Sequence, residues 1–434
     1  MRKTEFARRR KQLMRMIGRD GIAIIPAAPL RVRSRDTHHR YRQDSDFYYL
    51  TGFEEPEAVL VLVPGRAPAE YILFCRDRDP AREAWDGPRS GPDGAVSIHG
   101  ADDAFPITDV DEILPGLMED RERVFYNMGM DPEFDRHVQE WVHRLREQLH
   151  GAERTPHEFV SLDHLLHDMR LYKSRAEVTA MRRAARISID AHRRAMRSCR
   201  PGMHEFELQA ELEYEFGRQA AVPAYQTIVG SGPNACVLHH VENRRCMQAG
   251  ELVLVDAGAE LGNYASDITR TYPVDGRFNE QQRALYEVVL AAQAAAIAAL
   301  VPGRHWNESH EAAVHAITDG LRRLGLLHGT TKRLIRDRAY QRFYMHRTGH
   351  WLGLDVHDVG DYRFEDEWRL LEPGMVTTVE PGLYVAPDCA EVDAAWRGIG
   401  IRIEDDVLIT ADGPDVLSAA LEKDPDAIEA LMAA

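Results

Sequence analysis

Short apolar runs bounded by turn residues dominate the first third of the chain. They cover residues 21–26, 58–63 and 71–75. Their length and branched side chains are typical of buried β-strands. Ahead of them, residues 1–20 hold eight lysines and arginines, with Phe6, Leu13 and Ile17 at helical spacing. We interpret this stretch as a solvated amphipathic helix, not an arm that binds membranes or nucleic acid. The pattern predicts an α/β domain.

The periodicity changes near residue 170. Ser174 and Glu177 form a capping-box signature, and apolar residues then recur at helical spacing as far as Ala191. A second long helix is predicted after Asn279. Strands are predicted at residues 251–258, 266–273, 376–380 and 399–409. We therefore predict two domains, residues 1–170 and residues 171–434, and the second is of the α+β class.

Composition narrows the class of protein. The formal net charge of −16 argues against a general nucleic-acid binder. The sequence has no window of the roughly 18 apolar residues that a membrane span needs. The basic N-terminus is not followed by the apolar segment of a signal peptide. The five cysteines are scattered, which is typical of reduced thiols. The sequence thus predicts a cytoplasmic protein that binds neither membranes nor nucleic acid.

Two acidic residues lie on strands that are neighbours in sequence. Asp256 ends an apolar run, and Asp267 follows a possible turn at Leu261-Gly262. With the turn there, Asp256 faces Asp267 and their β-carbons lie about 5 Å apart. Like charges that close repel unless one is protonated or a cation lies between them. The pair therefore indicates a metal ion, and a solvated, exposed hairpin is the alternative.

Histidines are concentrated in two other segments. His346, His350 and His357 lie among glycines that let the backbone approach a site closely. His239 and His240 lie beside a turn-rich segment. A single histidine in such a position is more often a core residue. Three within twelve positions favour a functional site.

Two further segments contribute acids. Glu380 ends a predicted strand, and Arg402 and Glu404 are two apart on another, so they share a face. Arg402 with Glu404 alone could be a plain ion pair. Collected, the candidate metal ligands are one imidazole from the clustered histidines and four carboxylates: Asp256, Asp267, Glu380 and Glu404. Oxygen-rich donors suit ions such as manganese, and bridging carboxylates suit two ions close together.

The motifs carry a family resemblance. The segments DAGAELGNYASDITRTYPV, HRTGHWLGLDVHDVG, TVEPGLY and GIGIRIEDD resemble the aminopeptidase P (Xaa-Pro aminopeptidase) branch of the pita-bread metallopeptidases. The segment YRQDSDFYYLTGFEEPEAVLVLVPG is similar to the creatinase-like N-terminal domain of that branch. The resemblance implies an α/β creatinase-like N-terminal domain followed by an α+β pita-bread catalytic domain. Arg347 stands where many relatives are expected to carry a small residue, so the resemblance extends to the metal site but not to this detail of the substrate pocket.

The resemblance implies a metal-dependent aminopeptidase that releases the N-terminal residue from peptides with proline in second position. The attacking group would be a hydroxide between two divalent ions, most often manganese. In the family pattern one ion would bind Asp256, both ions would bind Asp267 and Glu404, and the shells would be completed by His350 and Glu380.

The resemblance also assigns residues around the ions. Glu380 would carry a proton from the water to the leaving nitrogen. His357 would polarise the scissile carbonyl, and His346 would line the pocket. His239 would shape the substrate end, and Arg402 would anchor nearby carboxylates or the substrate.

The resemblance further implies a homodimer or homotetramer, with Asp36 in a segment that can approach a neighbouring subunit's site. Two alternatives share the fold. One is a prolidase that cleaves only Xaa-Pro dipeptides, and the other is a non-catalytic binding module. Creatinase-like chemistry is disfavoured because that branch does not keep the full set of metal ligands.

Overall fold

The computed structural model describes residues 1–148 and 155–434, and the chain divides into two compact units. The first is Met1–Met169 and the second is Arg170–Ala434. Every helix in the described ranges is too short or too polar to cross a lipid bilayer.

A mixed sheet lies at the centre of the first unit. The strands of this unit are β1 (Gly21–Pro26), β2 (Val32–Ser34), β3 (Thr37–His38), β4 (Val59–Leu62), β5 (Tyr71–Cys75), β6 (Asp103–Pro106), β7 (Arg123–Phe125) and β8 (Glu158–Val160). Six of them pair in the order β6-β5-β4-β1-β7-β8. The three predicted apolar runs are β1, β4 and β5, which are buried as expected. Asp36 is exposed in the turn between β2 and β3.

Helices accompany this sheet. They are α1 (Lys3–Ile17), α2 (Ser45–Thr51), α3 (Pro80–Asp86), α4 (Gly91–Ser97), α5 (Val110–Met118), α6 (Pro132–Gln148) and α7 (Asp163–Leu171). The boundary between the units falls in the last turn of α7.

Helix α1 is only partly solvated. Its apolar residues face inward, as predicted, but Arg9 and Arg10 are buried too. The Arg9 guanidinium lies 4.0 Å from the ring centroid of Tyr49 and donates to the carbonyl of that residue at 3.0 Å. Arg10 lies in the same way over Tyr71, at 3.8 Å. The basic run thus serves packing within this unit through cation–π contacts.

The second unit combines long helices with several small sheets. Its helices are α8 (Arg175–Ser198), α9 (Glu205–Arg218), α10 (Glu280–Ala299), α11 (Asn307–Arg323), α12 (Thr331–Arg336) and α13 (Pro425–Met432). Its strands are β9 (Val222–Pro223), β10 (Ile228–Ser231), β11 (Leu252–Asp256), β12 (Ala259–Leu261), β13 (Tyr264–Ala265), β14 (Thr269–Pro273), β15 (Arg363–Phe364), β16 (Glu367–Trp368), β17 (Val376–Val379), β18 (Gly382–Val385), β19 (Ile399–Arg402), β20 (Asp405–Thr410) and β21 (Gly413–Val416).

Both predicted long helices are present and begin with capping boxes. Ser174 caps α8 with Glu177, and Asn279 caps α10 with Gln282. Each cap supplies acceptors for backbone N–H groups that the first helical turn leaves unpaired.

The predicted register of the acidic hairpin is wrong by two residues. The turn lies at Gly262-Asn263, whose φ angles of 57° and 64° are both positive. Such a pair forms the two-residue turn that suits a twisted hairpin. Asp256 therefore pairs with Thr269, and not with Asp267. A shift of two residues keeps the alternation of faces, so both carboxylates still point to the same side.

The predicted strand at 399–409 is two strands. β19 pairs with β18, whereas β20 pairs with β17. Between them, the N–H of Ile403 donates to Pro381 and the N–H of Glu404 donates to Thr269. The backbone changes partners at 403–404, so Glu404 lies at a break and does not share a regular strand with Arg402.

Candidate active site

One cavity of about 1020 Å³ lies in the second unit. It is lined by all of the residues predicted for metal binding and catalysis: His239, Asp256, Asp267, His346, His350, His357, Glu380, Arg402 and Glu404. The structure thus brings together side chains that are up to 165 positions apart in the sequence, from position 239 to position 404.

The hydroxyl of Tyr225 lies between two of the acids. Its oxygen is 2.6 Å from Oδ1 of Asp256 and 2.6 Å from Oδ1 of Asp267. Burial, and then the charges of both acids, raise the pKa of Tyr225 well above its usual value, so the phenol keeps its proton. A phenol has one proton to donate, so it can serve only one carboxylate at a time. The other contact needs a second proton or a cation nearby.

Asp267, His350 and Glu404 present ligand atoms that all lie within 4.8 Å of one another. Nε2 of His350 is 3.3 Å from Oδ2 of Asp267, and Nδ1 is 2.9 Å from the carbonyl oxygen of Trp351. With Nδ1–H donating to that carbonyl, Nε2 faces the carboxylates, and its lone pair would become available to a cation that displaces the proton. A metal-ligating histidine is commonly held in this way.

A glycine fixes the backbone beside His350. A Cβ added to Gly349 would lie 2.0 Å from the carbonyl oxygen of Thr378. The N–H of Thr378 in turn donates to the carbonyl of His350 at 2.9 Å. This close contact between the loop and β17 holds the imidazole in the cavity.

Glu380 follows β17, and its N–H donates to the carbonyl of Thr348 at 2.7 Å. Its carboxylate lies 3.8 Å from Nε2 of His350 and 3.8 Å from Nδ1 of His346. Burial raises the pKa of Glu380 to about 7, despite the opposing charge of His350. A carboxyl that titrates near neutrality can both take up and release a proton.

Thr269 connects Arg402 with Glu404. Its hydroxyl donates to Oε2 of Glu404 at 2.6 Å and accepts from Nε of Arg402 at 3.2 Å. Arg402 pairs directly with Asp256, from Nη2 to Oδ2 at 2.5 Å. The arginine thus forms its ion pair with Asp256 and is connected to Glu404 through the hydroxyl of Thr269.

Carboxylates outnumber positive charges at the site. Burial, and then the neighbouring acids, raise the pKa of Glu404 well above its usual value. Burial also raises the pKa of Asp256, although Arg402 opposes this. Burial lowers the pKa of His350, but the hydrogen bond with Asp267 and the surrounding acids outweigh it and raise the value to about 9. This donor set fits divalent cations, which would offset the excess negative charge.

His346 is fixed in its neutral form. Nδ1–H donates to the carbonyl of Arg347 at 2.7 Å, and Nε2 lies 2.9 Å from the hydroxyl of Tyr384. Arg402 donates to the same hydroxyl at 3.1 Å, so Tyr384 accepts from the arginine and donates to the imidazole. Burial lowers the pKa of His346 to about 3. The histidine is therefore uncharged at neutral pH.

The other histidines occupy different positions. The ring of His357 lies edge-on to His350, with the centroids 4.4 Å apart, and burial lowers its pKa. His239 is exposed to the cavity. His240 instead contacts the buried carboxylate of Glu205 at 3.1 Å. Of the two histidines that the sequence left open, His239 lines the cavity.

Sequence reasoning missed three residues that organise the site: Tyr225, Thr269 and Tyr384. Thr269 could have been found, because it lies two positions after Asp267 on the same face. Tyr384 lies on β18 beyond the Glu380-Pro-Gly turn, within a quoted motif. Tyr225 lies in a short connection before β10 and has no local signal in the sequence.

Comparisons with known proteins agree with this geometry. A family model described as Metallopeptidase family M24 matches residues 179–411, and a model described as Aminopeptidase P, N-terminal domain, matches residues 6–126. The Xaa-Pro aminopeptidase of Escherichia coli is 45% identical over 432 residues, covering 99% of this chain and 98% of that protein.

Solved structures agree as well. Pseudomonas aeruginosa aminopeptidase PepP has 58% identity and a TM-score of 0.99, covering 100% of this chain and 98% of that chain. A variant of E. coli aminopeptidase P in complex with substrate has 44% identity and a TM-score of 0.97, with the same coverage of both chains. These relatives favour the aminopeptidase over the prolidase and the non-catalytic module. The predicted fold class is confirmed, and the chain belongs to metallopeptidase family M24, in its Xaa-Pro aminopeptidase branch.

Proposed function

We propose that this protein releases the N-terminal residue from peptides whose second residue is proline, and that it does so with two bound divalent ions. The observation that carries the proposal is the cluster of Asp267, His350 and Glu404, whose ligand atoms lie within 4.8 Å of one another at one cavity. Relatives named Xaa-Pro aminopeptidase support the choice of substrate.

The proposed ligands are the five predicted from sequence: Asp256, Asp267, His350, Glu380 and Glu404. Manganese is the proposed ion because most donors are carboxylate oxygens. A relative of 44% identity is described as zinc-substituted and in complex with product, so that protein accepts another ion. When bound, such ions lower the pKa of a water molecule and polarise a peptide carbonyl.

Glu380 is the proposed proton carrier. Its carboxyl takes the proton that the attacking water loses and passes it to the nitrogen of the leaving peptide, which must be protonated to depart. The imidazole of His346 lies 3.8 Å away and is neutral, so it adds no charge that would favour either the protonated or the ionised form of Glu380.

His357 is proposed to stabilise the negative charge that forms on the carbonyl oxygen, and Arg402 is proposed to orient the groups around it. A neutral His357 can donate one N–H to the oxygen that becomes negative as the carbonyl is attacked. Arg402 orients Asp256 and Tyr384, and through that hydroxyl it orients His346. His239, exposed to the cavity, is proposed to contact the substrate.

The preference for proline has a physical basis. A peptide bond that precedes proline has no N–H, so an enzyme that must bind that donor cannot act there. Apolar side chains beside the acids, including Ile228 and Leu238, offer a surface to the proline ring.

Hydrolysis of three peptides tests the function. Metal-free enzyme should be inactive, and manganese should restore cleavage of Ala-Pro-Ala but not of Ala-Ala-Ala. Cleavage of Ala-Pro alone would indicate a prolidase, and no cleavage with any ion would indicate a binding module. Glu380→Gln should abolish turnover. The matched variant Glu372→Gln, whose carboxylate accepts from Tyr172 outside the cavity, should stay active.

We also propose a cytoplasmic location and assembly as a homodimer or homotetramer, with no membrane or nucleic-acid partner. The free cysteines in the described ranges suit a reducing compartment. Light scattering of the purified protein tests the subunit count, and a monomer at micromolar concentration would contradict it.

A further inference from the structure

A column of aromatic rings begins beside His350. Trp351 stacks on Tyr362 with the ring planes 4° apart and the centroids 5.3 Å apart. Tyr362 contacts Trp306 at 4.5 Å, and Trp306 contacts Trp368 at 5.7 Å. Trp306, Tyr362 and Trp368 line the same cavity as the acids. The column is a rigid wall that starts at the candidate metal ligands.

Two arginines lie on the last rings of this column. The Arg347 guanidinium is 4.8 Å from the ring centroid of Trp368 and 5.4 Å from that of Trp306. Arg363 is 4.1 Å from the centroid of Trp368. Both arginines line the cavity. We call Arg347 and Arg363 the rim arginines.

In the described part of the chain the rim arginines form no salt bridge, although the charge of Glu311 acts on Arg347. Among residues 1–148 and 155–434, neither guanidinium has a carboxylate within 4.0 Å, and Asp361, which also lines the cavity, forms no ion pair with them. Nη2 of Arg347 donates to the amide oxygen of Asn307 at 2.8 Å, which leaves most of its N–H donors available. Burial, opposed by Tyr344 and reinforced by Arg363, lowers the pKa of Arg347. Two like charges held together in this way favour an anion.

The cavity thus carries opposite charges in two of its parts. One part carries the acids around Asp267, and another carries the rim arginines. A peptide substrate has the matching polarity, since its N-terminal ammonium would face the acids and its C-terminal direction would lead toward the rim. In an extended peptide the residue after proline lies about 7 Å beyond the first residue, at roughly 3.3 Å for each residue.

We propose that Arg347 and Arg363 bind a carboxylate carried by the residue after proline. This rests on the proposed function, because it assigns a substrate class to the same site. A carboxylate fits the fork of a guanidinium through two parallel hydrogen bonds, and the tryptophan rings hold the forks in place before binding. The carboxylate can come from the C-terminus of a tripeptide or from an aspartate side chain in third position.

Matched substrates separate the two sources. The pairs are Ala-Pro-Ala with a free or amidated C-terminus, and Ala-Pro-Asp-amide with Ala-Pro-Asn-amide. We expect the wild type to cleave the acid of each pair with a kcat/KM at least about tenfold higher than that of the amide. The difference should arise from a lower KM, because charge-assisted hydrogen bonds strengthen binding by that amount. A preference in only one pair identifies the source of the carboxylate.

Variants assign the preference to the rim. Arg347→Ala combined with Arg363→Ala should lose this preference, so that the acid and the amide of each pair are cleaved with about equal kcat/KM. Arg342→Ala, a surface arginine paired with Glu391 at 2.6 Å, is the matched control and should keep it. Equal turnover of acid and amide by the wild type, or a preference that survives in the double variant, would overturn the proposal. Cleavage of all four peptides in that case would leave the proposed function intact, whereas no cleavage of any would refute both.

Discussion

Arg402 donates a hydrogen bond from Nη2 to Oδ2 of Asp256 at 2.5 Å, with both side chains nearly excluded from solvent. The same guanidinium reaches Tyr384 through Nη1 and Thr269 through Nε. One rigid fork therefore orients a carboxylate, a phenol and a hydroxyl at once. A lysine carries the same charge but lacks this planar set of donors.

We accordingly expect Arg402→Lys to lower kcat/KM by about 10- to 100-fold, the usual effect of removing a group that orients metal ligands. Bound metal, measured by mass spectrometry, should change less than activity. Arg193→Lys, a half-exposed arginine that pairs with Glu422, should behave as wild type. Full activity of the Arg402 variant would show that charge alone suffices.

Tyr225→Phe removes the hydroxyl between Asp256 and Asp267 and keeps the ring. Without that donor the two carboxylates lose their common anchor, so we expect manganese affinity to fall by about 10-fold or more. Titration of metal-free protein followed by calorimetry measures it. Tyr286→Phe, which removes a buried hydroxyl bonded to the carbonyl of Lys423, should leave the affinity unchanged. Equal affinities for both variants would contradict the role of Tyr225.

Glu205 holds the segment that carries His239. This fully buried carboxylate accepts from the N–H and hydroxyl of Ser231, from Asn234 and from the N–H of Arg245 at 2.8 to 3.0 Å. Burial raises the pKa of Glu205, but these hydrogen bonds outweigh it and lower the value, so the group stays charged.

Glu205→Gln should therefore act through His239. In a double-mutant cycle with His239→Ala, we expect a coupling of about 1 kcal/mol in kcat/KM, as for groups that depend on each other. Glu215→Gln, a buried glutamate on the same helix that contacts Arg218 and Gln219, is the matched control. Additive effects for Glu205 would indicate a role in stability alone.

The pH dependence of stability should reflect His192. It is fully buried on α8, lies 3.0 Å from the carbonyl of Ala257, and burial lowers its pKa to about 4. Between its ordinary pKa of about 6.5 and pH 4, the unfolded chain binds a proton that the folded chain does not. The contribution of His192 to the free energy of unfolding is thus complete above pH 6.5 and decreases as the pH drops, by at most about 3 kcal/mol near pH 4.

Urea unfolding at pH 7, 6, 5 and 4 measures this. His192→Gln should flatten that part of the profile, while His143→Gln, an exposed histidine of α6, should not. An identical slope for wild type and His192→Gln would refute the assignment.

The five side chains that the sequence proposes as metal ligands lie at one cavity, but the sequence did not predict the residues that surround them. Acids at strand ends and clustered histidines identify themselves by residue type, and an error of two residues in the hairpin register preserved the face of Asp256. The pairing of Asp256 with Thr269 follows from a turn at 262–263, where Gly262 and Asn263 tolerate positive φ angles and Leu261 does not; our prediction did not use this signal. The break at 403–404 arises from tertiary hydrogen bonds with Pro381 and Thr269, which the local sequence pattern cannot indicate. Tyr225 has no local signal at all.

Three of the proposed ligands lie at the ends of strands, and this position affects the stability of the fold as well as catalysis. Asp256 ends β11, Glu380 follows β17, and Glu404 lies at the break between β19 and β20. Each stands where the backbone leaves its ladder of hydrogen bonds, so a cation there would add direct links between strand ends that Thr269 and Arg402 join through hydrogen bonds. Ion binding would then contribute to folding, by about 2.7 kcal/mol at a free ion concentration 100 times Kd. The metal supply of the cell would set the lifetime of this enzyme as well as its rate.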